Sequence, residues 1–166
     1  MTSEQIEQLE KLLEQVFGFA SFRPGQLEII ETILAKQNVL AVMPTGAGKS
    51  LCYQLPAIYS EQKTIIVSPL VALMDDQVSS LSQLGVQVSK IHSGVSRQEN
   101  VEHWKRFASN ECNILYLSPE RLMQTRMVEA LKRFPIGLFV VDEAHCISKW
   151  GCLLYTSPSP RDSDSS

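Results

Sequence analysis

Apolar residues recur at Ile6, Leu9, Leu13 and Val16, three or four positions apart, and this spacing predicts an amphipathic helix over residues 4–17. A second helix is expected from about Gln26, with Ile29, Ile30, Ile33 and Leu34 on its apolar side. Further on, the pattern changes to short continuous apolar runs, each followed by a helical stretch. The runs are NVLAVM (38–43), TIIVS (64–68), VQVSKI (86–91), NILYLS (113–118) and GLFVVD (137–142). Runs without polar alternation suit strands covered on both faces, as in a parallel sheet. Strands alternating with helices of 10 to 15 residues imply repeated βαβ units. The expected class is therefore α/β, an open doubly wound and mainly parallel sheet with helices on both faces.

The 166 residues suffice for one ordinary domain. A net charge of −3 excludes a polycationic chain that coats nucleic acid by charge alone, though not an enzyme that grips a backbone with a few placed groups. No run approaches the roughly 18 apolar residues of a bilayer span, so no membrane partner is expected. The polar, amphipathic start does not read as a signal peptide. Cys52, Cys112, Cys146 and Cys152 form no CxxC pair and no metal-ligand spacing with histidine, so buried thiols in a reducing compartment are expected. From Cys152 the text becomes CLLYTSPSPRDSDSS, rich in Ser and without apolar side chains after Tyr155. Such a stretch cannot offset its ordering entropy. The chain divides into a folded part, 1–151, and a disordered tail, 152–166, expected to be a reading-frame or vector-derived scar.

The run 38–43 leads into PTGAGKS (44–50) and then into a helical stretch, the strand, glycine turn and helix N-terminus of a phosphate-binding loop. Gly46 and Gly48 permit the dihedrals that aim successive N–H groups at one anion, and the backbone from Thr45 through Ala47 to Ser50 would cradle it. Lys49 would reach the β- and γ-phosphates of a nucleotide, and the Ser50 hydroxyl would coordinate Mg²⁺. Met43 stands where the common pattern has glycine, so the loop is a variant. The last apolar run ends in Asp142-Glu143-Ala144-His145. Ligands of open α/β sheets sit beyond the carboxyl ends of the strands, so both motifs arrive at one rim. Asp142 would hold the Mg²⁺ shell and Glu143 would orient and deprotonate the attacking water, the neighbouring acids pointing in different directions for two tasks. His145 would make a polar contact relaying the state of the γ-phosphate. His92 and His103 read as structural or surface residues.

PTGAGKS together with DEAH resembles the superfamily 2 helicases, whose motor is two RecA-like domains with ATP between them. The finer resemblance, over nearly all of residues 10–151, is to the RecQ family of DNA helicases. FGFASFRPGQ (17–26) is similar to that family's adenine-recognition motif, which implies that Phe19 and Arg23 stack on adenine and that the Gln26 amide reads its edge. MPTGAGKSLCYQLPA, SPLVALMDDQV (68–78), YLSPERL (116–122) and VVDEAHCISKWG (140–151) resemble further family motifs. The Ser68 and Ser118 loops would hold phosphates of single-stranded DNA. Arg121, Arg126, Lys132 and Arg133 either add charge to that surface or form a solvated helix face.

The resemblance breaks off after Trp150-Gly151, where the family continues into an aromatic-rich loop, and a second RecA-like domain is expected in the full-length protein. It implies an ATP-dependent DNA helicase acting 3′ to 5′ on single-stranded and duplex DNA, cytoplasmic if bacterial and nuclear if eukaryotic. These 166 residues are expected to be a half-motor with weak nucleotide binding and no unwinding. Alternatives are a non-catalytic ATP-binding fragment or another superfamily 2 translocase. A P-loop kinase would need an acceptor site and a lid.

Overall fold

The computed structural model describes residues 1–44 and 48–144. Helix α1 (Ser3–Leu12) begins at Thr2, whose hydroxyl accepts from the Gln5 N–H while the Gln5 side chain accepts from the Thr2 N–H. This reciprocal cap satisfies two donors at the helix start. The predicted helix over 4–17 is completed by a π-helical turn, Leu13–Phe17, closed by Gly18 in the left-handed conformation. A loop then leads to α2 (Gln26–Leu34). Leu9, Leu13 and Ile30 pack with Leu51 and Leu55 of α3 (Leu51–Ser60), which ties the N-terminal helices to the helix after the phosphate loop. Each such fully buried leucine contributes roughly 1.5–3 kcal/mol.

Among the described residues four parallel strands follow: β1 (Lys63–Val67), β2 (Val88–Ile91), β3 (Ile114–Leu117) and β4 (Ile136–Val141). They lie in the order β2-β3-β1-β4. Connections run through α4 (Val71–Gln83), α5 (Arg97–Ala108), and the pair α6 (Pro119–Leu122) and α7 (Thr125–Leu131). Period-two alternation sorts the core onto two faces. Ile66, Ile114 and Tyr116 pack with Tyr53, Met74, Val78 and Leu81 of α3 and α4. Ile65, Val67, Leu115 and Leu117 pack with Phe107 and Leu131 of α5 and α7. Along β4 the register shifts between Lys63 and Thr64 of β1, which skips Gly137. A Cβ at Gly137 would collide with the Gln62 side chain, so the irregularity requires glycine there. Across the shift Ile136 packs on the second face, whereas Leu138 and Val140 pack on the first.

The segment 38–43 corrects an expectation. It forms no strand, and Leu40 and Val42 are 84% and 90% exposed. With the outer edge of β4 it lines a cavity of about 740 Å³, and Phe139 and Val141 of that edge are exposed as well. Ladder hydrogen bonds need strands less than about 5 Å apart. The run has the composition of a buried strand, but no strand among the described residues lies alongside it to supply the ladder.

Candidate nucleotide site

The carboxyl ends of the four strands deliver Ser68, His92, Ser118 and Asp142 to one rim. Asp142 continues the ladder, its N–H donating to the Val67 carbonyl at 2.9 Å. Its carboxylate is buried and braced on both oxygens. Oδ2 accepts from the Tyr53 hydroxyl at 2.7 Å, and Oδ1 accepts from the Glu143 N–H at 2.8 Å. Glu143 takes a left-handed φ of 56°, a conformation costing a non-glycine residue roughly 1–3 kcal/mol. Instead of diverging, as strand-end alternation predicts, both acids converge on one cation. Lys49 Nζ donates to Glu143 Oε1 at 3.2 Å and stands 3.7 Å from Asp142 Oδ1.

Lys49 and Ser50 form the turn that enters α3, with Ser50 at its N-cap. Gly48, at φ +76°, is the residue through which the phosphate loop meets the upstream motif. The Gln26 amide donates to the Gly48 carbonyl at 3.2 Å, and its oxygen accepts from the Arg23 N–H at 2.8 Å. Gln26 is thus buried as a brace between residues far apart in sequence, while Phe19 and Arg23 lie on the exposed loop ahead of α2. Thr45, Gly46, Ala47 and His145 lie outside the described residues, as do Cys146 and the tail.

Beneath the acids is a polar network that motif reading missed. Tyr53 lies 3.0 Å from Gln77 Oε1; the Tyr116 hydroxyl donates to the same oxygen at 2.9 Å, and Gln54 Nε2 donates to Tyr116 at 3.0 Å. Burial, then the nearby Tyr116 and Asp142, push the Tyr53 phenol well above its ordinary value. It therefore remains a proton donor at any working pH. The available signal was the pair Tyr53-Gln54 inside an otherwise apolar buried helix. Cys52 beside it is pushed up to about 11 by burial, so its thiol stays protonated.

The Ser68 and Ser118 hydroxyls have local partners: Ser68 Oγ accepts from the Leu70 N–H and Ser118 Oγ caps α6 through the Arg121 N–H. Both are buried, so their side chains serve turns rather than an open surface. His92 is also structural. Its Nδ1 accepts from the Gly94 N–H at 3.0 Å, which leaves the Nε2 proton for Asp75 Oδ1 at 2.9 Å. Arg126, Lys132 and Arg133 are exposed, and Lys132 pairs with Glu129.

Over residues 23–154 the sequence matches the family model described as DEAD/DEAH box helicase. The chain belongs to the DEAD/DEAH box helicase family. It is 48% identical over 147 residues to a Bacillus subtilis protein named "Probable ATP-dependent DNA helicase RecS" and 41% identical over 147 residues to the ATP-dependent DNA helicase RecQ of the same organism. These matches cover 86% and 88% of the chain but only 29% and 25% of the relatives' lengths. Among solved structures, a hypothetical ATP-dependent RNA helicase from Sulfolobus tokodaii superposes with a TM-score of 0.70 at 22% identity, over 92% of this chain and 44% of that one. That likeness shows the helicase α/β fold. Among the described residues no helix is long and apolar enough to cross a membrane.

Proposed function

We propose that residues 1–151 are part of the first RecA-like motor domain of a RecQ-type DNA helicase, which couples ATP hydrolysis to 3′ to 5′ translocation along DNA. The observation that carries the reading is the meeting of Lys49 with Asp142 and Glu143 at the sheet rim, with Ser50 beside Lys49 at the start of α3. An ammonium, two carboxylates and a hydroxyl are the groups that ATP with Mg²⁺ requires. The donor set is all oxygen and suits a hard cation, with Ser50 and Asp142 as the residues to hold it. When bound, Mg²⁺ neutralises charge developing on the phosphates.

The chain's own residues do the remainder. Lys49 exchanges its carboxylate partners for the β- and γ-phosphates. Glu143, released from Lys49, accepts the proton of the water that attacks the γ-phosphate. Phe19 and Arg23 supply a stacking face and a planar cation to adenine, and Gln26 reads its edge once its brace to Gly48 is exchanged. His145 relays the state of the γ-phosphate. Single-stranded and duplex DNA are the substrates, a second RecA-like domain closes the site, and the protein works in the bacterial cytoplasm or the eukaryotic nucleus.

The test is turnover of ATP by the protein carrying both motor domains, with single-stranded DNA or RNA added. Stronger stimulation by DNA supports the proposal, and stronger stimulation by RNA favours another superfamily 2 translocase. No stimulation by either favours nucleotide binding without turnover. The 166-residue chain alone is expected to bind nucleotide weakly and to unwind nothing, so unwinding by it would overturn the half-motor reading.

A further inference from the structure

The buried network under the acids has a direction. Asp142 carries one carboxylate oxygen toward Lys49 and turns the other, Oδ2, inward to the Tyr53 hydroxyl at 2.7 Å. Tyr53 projects from the first turn of α3, directly after Lys49 and Ser50, so this hydrogen bond joins the helix that follows the phosphate loop to the end of the acidic strand. A phenol has one proton, and the shorter bond to a charged acceptor holds it. Gln77 Oε1, from α4, lies 3.0 Å from the same phenol oxygen and takes the Tyr116 proton at 2.9 Å. The ring of Tyr53 is 6% exposed and packed with Ala57, Ile66 and Met74.

The geometry points to Tyr53 as a positioning residue for Asp142: its hydroxyl fixes the carboxylate rotamer that presents Oδ1 at the rim. Tyr53 touches neither phosphate nor metal and acts through Asp142. This rests on the reading of Asp142 as the residue that holds the Mg²⁺ shell. A carboxylate held by one backbone N–H alone would rotate, and its ligand oxygen would be misplaced for part of the time. Partners of this kind, one bond behind a metal ligand, typically account for 10- to 100-fold in metal affinity.

The experiment is a titration of a fluorescent ATP analogue against the full 166-residue chain, with Mg²⁺ varied at fixed nucleotide, alongside thermal unfolding without ligand. Tyr53→Phe removes the hydroxyl and keeps the ring. It should raise the half-saturating Mg²⁺ concentration about 10-fold or more while leaving nucleotide affinity in chelator within about twofold of wild type. Tyr116→Phe disturbs the same buried network without touching Asp142 and should leave the Mg²⁺ requirement within about twofold. An unchanged requirement in Tyr53→Phe overturns the inference. So does an equal shift in Tyr116→Phe, or an equal loss of affinity with and without Mg²⁺, because either marks general loosening. A wild-type chain whose nucleotide binding ignores Mg²⁺ overturns the Mg²⁺ reading of Asp142 and this inference with it. Normal wild-type behaviour with an unresponsive Tyr53→Phe overturns the inference alone.

Discussion

Lys49 Nζ stands 3.2 Å from Glu143 Oε1 and 3.7 Å from Asp142 Oδ1, so one ammonium joins two acids that lie 94 and 93 positions further along the chain. The ion pair is partly exposed, with Lys49 at 38%, and its own contribution to stability is small. Its meaning is positional. In the proposed site, the cation assigned to the phosphates stands beside the acid assigned to Mg²⁺. Lys49→Ala should therefore lower the affinity for a fluorescent ATP analogue at least about tenfold, while circular dichroism and the unfolding midpoint stay close to wild type. Unchanged binding would remove Lys49 from the phosphate site.

Glu143→Gln separates binding from turnover. The closest partner of Lys49 loses its charge, and one negative group facing the phosphates disappears. Nucleotide affinity should hold or rise by about two- to fivefold, since the ammonium is no longer drawn to a second carboxylate. Hydrolysis in the protein with both motor domains should fall by about 10²- to 10⁴-fold, the usual contribution of a general base. A variant that fails to bind nucleotide would show that Glu143 holds the ligand rather than the water.

Gly48 is conformationally required and sterically pinned. At φ +76° a side chain is strained, and a Cβ would strike the Gln26 amide. Gly48→Ala should cost about 1–2 kcal/mol of unfolding free energy. Placed in a Gln26→Ala background, the same change should cost measurably less, because the collision is gone and only the dihedral strain remains. Equal costs in the two backgrounds would show that Gln26 does not pack on the loop.

A pH effect is expected away from the site. Burial pushes the Asp75 carboxyl up, but hydrogen bonds and charge from Lys90 and His92 outweigh it and hold the group below the usual carboxylate range. A folded-state value lowered in this way stabilises the protein above the unfolded value of about 4 and is lost as pH falls through the folded value. Asp75→Asn should therefore reduce stability at neutral pH, and the gap to wild type should close below about pH 4. Because Asp75 is 42% exposed, the neutral-pH difference should stay under about 1 kcal/mol.

What the sequence made legible follows the reach of local pattern. The strands ending at Val67, Ile91, Leu117 and Val141 stand within a residue or two of their apolar runs, and Lys49 stands beside Asp142 and Glu143 at the rim where both motifs were expected to arrive. Both depend on period and on the rule that parallel strands deliver loops to one rim. The left-handed turn at Glu143 was not legible, since strand alternation sends neighbours apart and only a positive φ brings them back together. Nor was the Tyr53–Gln77–Tyr116 network, in which each polar group meets an element distant in sequence. Such partners leave no spacing to read. The N–H and O–H groups of buried positions must be satisfied, yet by which residue is decided by the packing of α3 on α4 and β3.

The segment 38–43 marks the opposite limit, where the pattern was strand-like and the structure has no strand. A continuous apolar run reports that a segment is suited to burial between neighbours, and a ladder needs one of those neighbours at hydrogen-bonding distance. Leu40 is 84% exposed, whereas Leu115, in the middle of β3, is fully buried. Truncation measures the difference directly. Leu115→Ala should cost about 2–5 kcal/mol through lost burial and the cavity left behind, and Leu40→Ala should change stability by less than about 0.5 kcal/mol. Chemical denaturation of the 166-residue chain gives both values in one experiment. If Leu40→Ala proved as costly as Leu115→Ala, the segment would be packed in solution, and a strand alongside the edge of β4 would have to be restored to the fold.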